Sequence, residues 1–406
     1  MTESNRLIFI DYLRASVFLL LAFDHSLHAY AFNWGKFHFI EDIDRSLLFD
    51  VFYMFDNSII MPMLFFIVGL FVIPSLNHHG VLSYFSRRLV KLGVPFVIGV
   101  PFITPLLSFP RYLEKTNSDI SYLDYWLHVY LPQDISAGGP FWVLYAIFLY
   151  SLIVAIFYKV FPRVILSLGS FVRFLVASPI KGMVIFLTLS ALILGVTDLI
   201  WGAPWWFRLW WIFSFQGSRF LLHALYFLMG VAFSMSGLLT ETAFWKKLAD
   251  RWTVWLGFML VSGIFYIGYS LSYFHDGAYN NDVRAYFYHG GSLMDSWPVF
   301  INHAPMVLLR TTLYGIFCFF QALTFLSAFY RFFNRFNPTF YSLARNAYGI
   351  FLLHEIPVIW LQYGLIGFEF PVIFKVAVVF ILGFFGTWFI NDKVLLKIPL
   401  VRRVLA

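Results

Sequence analysis

Charge is scarce in this chain. Asp, Glu, Lys and Arg make up 12% of its 406 residues, against about 25% in a soluble globular domain. With 61% hydrophobic and 22% aromatic residues, that deficit excludes a soluble enzyme and leaves a polytopic membrane protein. Cysteine is nearly absent. The single Cys318 lies in an apolar run, which excludes a disulfide framework and a thiolate metal cluster and makes a poor case for a cysteine nucleophile. There is no HExxH or CxxC motif, and the His78-His79 pair has no third ligand nearby, so no metal is expected. Walker and dinucleotide glycine motifs, internal repeats and low-complexity tracts are missing too. No segment between the apolar stretches is long enough for a soluble domain, so residues 1–406 read as one transmembrane unit. The net charge of +7 comes from bases scattered over short loops, which speaks for membrane topology and against nucleic-acid binding. Only Arg6 precedes the first apolar stretch and no small-residue cleavage site follows, so that stretch reads as an uncleaved anchor helix.

What is present is about ten apolar stretches near the length of a bilayer-spanning helix. They cover residues 7–30, 49–74, 85–107, 141–161, 180–200, 217–237, 253–274, 304–329, 346–365 and 371–389. The loops between them alternate in charge. One set carries bases, among them Arg87, Arg88, Lys91, Lys159, Lys246, Lys247, Arg251, Arg331, Lys393 and Arg402. The other carries acids such as Glu41, Asp42, Asp44, Asp124, Asp276 and Asp282. The positive-inside rule places the basic set, and both termini, in the cytoplasm. The expected fold is therefore all-α, with about ten transmembrane helices. The longest loops, 108–140 and 275–303, fall outside, where a substrate from the outer compartment would enter. Pro95, Pro101 and Pro105 predict a kinked or broken third span.

The first span, LIFIDYLRASVFLLLAFDHSLHAY, holds Asp11, Arg14, Asp24, His25 and His28. An ionisable group at membrane depth costs roughly 2.5–3.5 kcal/mol on insertion scales unless it is paired or faces a wet cavity. Arg14 and His25 lie on one helix face, about 16 Å apart along the axis. That spacing suggests a polar path across the membrane. A neutral His25 can take a proton from a hydroxyl; the plainer alternative is a histidine bonded to a neighbouring helix. Asp11 is placed to pair with Arg14, whereas Asp24 points about 100° away from His25 and cannot orient it. His354 and Glu355, at mid-membrane in the ninth span, form a functional-site hypothesis by default or a structural hydrogen bond. Arg219, His223 and Arg310, near the outer ends of their spans, either line an acceptor cavity or anchor the helices. Trp201, Trp205, Trp206, Trp210 and Trp211 read first as an interfacial belt and second as a sugar-binding surface.

Several segments together resemble a known family. Phe9-Ile10-Asp11-Tyr12-Leu13-Arg14, followed by His25, is similar to the opening signature of the acyltransferase-3 family of membrane acyltransferases. Phe65-Phe66-Ile67-Val68-Gly69 resembles its FFxxSG stretch, with Val68 where serine is common. Arg87-Arg88-Leu89-Val90-Lys91, ahead of Pro95, resembles its cytoplasmic basic motif, with Lys91 in place of the second arginine. Phe141-Trp142-Val143-Leu144 is similar to its WFL motif, and the run from Ala347 to His354 to its penultimate-helix motif. His28 and Tyr30 are faintly similar to the branch that succinylates periplasmic glucans.

The resemblance implies a reaction. An acyl group, usually acetyl or, by similarity to that branch, succinyl, would pass from cytoplasmic acyl-CoA to a hydroxyl of an extracytoplasmic glycan or glycolipid. His25 would act as general base or acyl carrier and Arg14 as donor guide. Arg87, Arg88 and Lys91 would hold the CoA phosphates, and Asp11, Trp142, His354 and Glu355 would support them. The implied partners are acyl-CoA, an envelope carbohydrate and membrane lipid of a bacterial inner membrane. With no esterase-like domain in the sequence, the membrane unit must finish the transfer or pass the group to a separate periplasmic partner. The competing reading is a transporter or flippase of a lipid-linked sugar, which would also use intramembrane charges.

Overall fold

Apolar runs of about 20 residues fold as helices in a membrane because every backbone N–H and C=O must be satisfied within the segment. The computed structural model describes residues 7–32, 40–133, 139–201, 206–209, 213–275 and 297–405. In chain order the helices are α1 (Ile8–Leu27), α2 (Leu47–His79, with a turn at Phe71), α3 (Val81–Thr116), α4 (Trp142–Val160), α5 (Pro162–Ala177), α6 (Pro179–Trp201), α7 (Gly217–Met235), α8 (Thr242–Asp250), α9 (Trp252–His275), α10 (Trp297–Phe333), α11 (Pro338–Leu353), α12 (Glu355–Gly364) and α13 (Val372–Lys397). Between α6 and α7 one antiparallel hairpin pairs β1 (Trp206–Leu209) with β2 (Phe213–Gln216), with Trp206 opposite Gln216. The protein is an all-α polytopic membrane protein.

Eight of these helices, α2, α3, α4, α6, α7, α9, α10 and α13, are long and apolar enough to cross a membrane. The other two spans read from the sequence are exceptions with a cause. Helix α1 carries Asp11, Arg14 and Asp24 within its 20 residues. The ninth span is divided at His354 into α11 and α12. Pro357 explains the division: it has no N–H for the Leu353 carbonyl, and its ring crowds that carbonyl. The two spans least suited to lipid are the two that carry His25, His354 and Glu355.

The third span carries the irregularity its prolines predict. Of the two alternatives, kinked or broken, the break is absent: the span is one helical run, and its prolines are absorbed by two π-helical turns, Leu89–Gly93 and Gly99–Ile103, a known cause of kinks. Such a turn changes the hydrogen-bond register around a residue that has no donor. The stretch 108–133 is also largely helical: α3 runs on to Thr116, and a short helical segment covers Tyr122–Asp124, Tyr125–Tyr130 and Leu131–Gln133. Trp205, Trp210 and Trp211, and Asp276 and Asp282 of the last long loop, lie outside the described residues.

The main core gathers the inward faces of α1, α2, α4, α7 and α11. A second cluster fills the space between α2, α6, α7, α9 and α10. Outward faces remain apolar: on α9, Phe258, Val261, Ile264 and Phe265 are half or more exposed, as hydrocarbon contact requires.

Helices α2 and α7 make the closest crossing. A Cβ at Gly69 would run into the Phe227 carbonyl, and one at Gly230 into the Phe66 carbonyl. Small residues permit this backbone approach where lipid supplies no hydrophobic drive for association. Gly230→Ala is therefore expected to destabilise the protein by about 1–3 kcal/mol through overpacking. Gly257→Ala, in open space on α9, is the matched control that should leave thermal unfolding in detergent unchanged.

Candidate active site

Helices α1 and α11 lie side by side and run parallel. At the basic side the Tyr12 hydroxyl donates to the Asn337 carbonyl (3.1 Å) and accepts from the Asn337 N–H (2.9 Å). Halfway along, the rings of Phe18 and Phe351 meet at 5.1 Å. At the far end His25 and His354 stack, with ring centroids 5.0 Å apart. The break after Leu353 then turns Glu355 toward α1. His25 Nδ1 lies 2.9 Å from Glu355 Oε1 and 3.0 Å from His354 Nε2. His354 is fully buried and Glu355 nearly so.

The partners fix the protons. His354 Nδ1 lies 2.8 Å from the Ile350 carbonyl and 3.1 Å from that of Phe351. Carbonyls only accept, so His354 Nδ1 carries the hydrogen and Nε2 of its neutral ring is an acceptor. His25 Nδ1 faces that acceptor and a carboxylate, so it is the donor. A neutral His25 then carries its lone pair on Nε2, the nitrogen suited to take a proton or an acyl group. From the same face of α12, Gln362 Nε2 donates to the His25 carbonyl (2.9 Å) and holds the end of α1. The arrangement is that of an imidazole oriented and charge-balanced by a carboxylate, the geometry of a general base.

The three side chains also offer donor atoms to a metal within 4.8 Å of one another. The two separations from His25 Nδ1, 2.9 Å to Glu355 and 3.0 Å to His354, are hydrogen-bond lengths. Two ligands about 2.0–2.1 Å from one tetrahedral zinc would stand roughly 3.3 Å apart. The spacing fits shared protons better than shared coordination.

Asp24 does not orient His25; it faces His28, with Oδ2 3.2 Å from Nε2. Arg14 pairs with Asp11 at 3.2 Å. Eleven residues of unbroken α1 separate it from His25, about 16 Å, so the two cannot act on the same atoms. Arg14 instead joins the basic motif: its charge and those of Arg88 and Arg87 all bear on the Lys91 ammonium. Arg88 also lies over the Tyr84 ring at 5.2 Å. These four cations gather at the end of α1 opposite His25.

Other expected residues make contacts of their own, and Tyr53, whose ring meets His28 at 5.0 Å, also lies within the field of Arg219. Trp142 packs against Phe65, His223 and Trp206. His223 stacks on Phe65 at 5.0 Å. Arg219 donates to Asn57 Oδ1 (2.5 Å) and covers the Tyr314 ring at 5.0 Å. Arg310 forms a buried ion pair with Asp198, so it is no open cation for an acceptor. The pair accords with the anchoring alternative, and its partner lies 112 residues away in sequence, beyond any local pattern.

Sequence reasoning misses three polar contacts. Gln362 is one. The Tyr348 hydroxyl, donating to the Lys91 carbonyl, is another and ties the π-turn under the basic motif to α11. The third is buried Lys375, which meets Asp42 (3.0 Å) and Asp44 (3.1 Å) and fastens the segment before α2 to α13. A lysine inside the run VIFKVAVVF is the available signal.

Among comparisons with known proteins, a family model described as an acyltransferase domain matches residues 7–392, nearly the whole chain. Searches of curated proteins and of solved structures gave no match. The match takes in both the His25 cluster and the basic motif that the fold sets at opposite ends of α1. The chain belongs to the acyltransferase-3 family of membrane acyltransferases.

Proposed function

We propose that the protein moves an acyl group from cytoplasmic acyl-CoA to a hydroxyl of an extracytoplasmic glycan or glycolipid, in a bacterial inner membrane. Acetyl is the donor group we favour, with succinyl as the variant. The observation that carries the reading is His25 Nδ1 set between Glu355 and His354, which orients the ring and makes Nε2 its basic nitrogen. The CoA phosphates bind Arg87, Arg88 and Lys91, and the pantetheine arm follows α1 past Arg14 to His25. There His25 Nε2 takes the acceptor's proton as the hydroxyl oxygen attacks the thioester carbonyl. The C–O bond forms, the C–S bond breaks, and the imidazolium returns the proton to the CoA thiolate. Glu355 offsets the positive charge that His25 carries between the two transfers.

The test is purified protein in detergent, with CoA thiol release followed against the acceptor glycan's mass. Thiol release matched by an acetyl or succinyl mass gain supports the reading. A protein that turns over no thioester with any envelope glycan, yet moves lipid-linked sugar across vesicles, would establish the transporter instead. Arg88→Ala with Lys91→Ala should raise KM for acyl-CoA about 10–100-fold, the worth of one or two charge-assisted hydrogen bonds. With an acyl-pantetheine donor, which has no nucleotide phosphates, the same double variant should match wild type.

A further inference from the structure

An apolar cavity lies on the basic side of the molecule, and the acyl-transfer reading does not use it. It encloses about 280 Å³ between α2, α5, α6, α7, α8, α9 and α10. Its walls are apolar: Val172, Leu175, Phe233, Trp245, Trp255 and Leu326 are representative. The two indoles have no donor left for a polar guest, because Trp245 Nε1 bonds the Leu239 carbonyl (3.0 Å) and Trp255 Nε1 the Leu248 carbonyl (3.2 Å). The remaining polar wall group, the Tyr226 hydroxyl, lies beside the Cys318 thiol. Two cations, Lys247 and Arg251, stand on the rim, both exposed. Neither forms an ion pair among the described residues. The carboxylate next to Arg251, Asp250, faces Arg331 at 3.7 Å.

We propose that this groove is a binding site for an anionic phospholipid of the cytoplasmic leaflet. The apolar interior takes an acyl chain, and Lys247 and Arg251 take the phosphate of the headgroup. The charge asymmetry of the loops places this rim in the cytoplasm, the leaflet where basic pockets between helices meet anionic headgroups. A zwitterionic lipid fits less well. Its ammonium would sit against two cations, with the one adjacent carboxylate already engaged. A free soluble anion fits less well too, since it would leave the apolar walls unfilled.

The experiment uses the full chain, delipidated in detergent and titrated with phosphatidylglycerol, with phosphatidylethanolamine of the same chains, and with glycerol phosphate. Binding is read by native mass spectrometry and by thermal unfolding. Phosphatidylglycerol is expected to bind saturably and raise the unfolding temperature, and the other two are not. Lys247→Gln with Arg251→Gln should weaken phosphatidylglycerol about 30-fold without changing thiol release from acyl-CoA. Both positions are exposed, so this variant folds. Ala322→Phe, which fills the groove, should weaken binding with the two cations intact. Equal binding of phosphatidylethanolamine, equal stabilisation by glycerol phosphate, or unchanged affinity in the double glutamine variant would each overturn the proposal.

Discussion

His25→Asn is expected to lower acyl transfer by about 10²–10⁴-fold, the range that a positioned general base contributes. Asparagine is the informative substitution. Its side-chain amide nitrogen stands near the place of the imidazole Nδ1 and can still donate to Glu355 and His354. What it lacks is Nε2. Alanine would also leave the Glu355 carboxylate buried without its partner, which in a buried pair costs about 3–5 kcal/mol and confuses lost chemistry with lost fold. The measurement is transfer rate at matched expression, with monodispersity in detergent as the check on folding. Full activity in a monodisperse His25→Asn protein would remove His25 from the mechanism. A loss restricted to KM for the acceptor would recast it as a binding residue.

The membrane context makes this residue visible in the sequence alone. Ionisable groups stand out in apolar runs, and that contrast is enough to single out His25, His354 and Glu355. Their association is not legible there. It depends on α1 and α11 running in parallel and on Pro357 breaking the ninth span directly after Leu353, which turns Glu355 inward. Hydropathy marks the spans but not their internal geometry. Prolines in the third span predict a kink or a break without saying which, and two π-turns keep the run continuous. The sequence leaves Arg310 either a cavity cation or a helix anchor because Asp198 belongs to another helix, while Asp11 is recognisable as the partner of Arg14 because three residues separate them. Gly69 belongs to one of the family-like segments; the crossing of α2 and α7 gives it a physical reason, since any side chain there meets the Phe227 backbone. Gln362 gives no signal at all, because a glutamine near the outer end of a span is ordinary until the His25 carbonyl lies against it.

Glu355→Gln separates orientation from charge. The glutamine carbonyl can still accept from His25 Nδ1, and His354 Nε2, 3.0 Å away, holds the same tautomer independently. In serine-protease triads the corresponding amide substitution costs about 10⁴-fold because it reverses the tautomer. Here a second acceptor guards against that, so a smaller loss is expected, about 10²–10³-fold, representing the countercharge for the imidazolium alone. The loss should fall on kcat, with KM for acyl-CoA unchanged, because the phosphate-binding cations stand at the other end of α1. Adding His354→Phe keeps a ring against His25 but removes the second acceptor. The double variant should then approach the rate of His25→Asn, a loss greater than the two single effects combined. Strict additivity of the two substitutions in rate would mean that His354 and Glu355 do not share the task of holding the His25 proton, and the tautomer argument would fail with it.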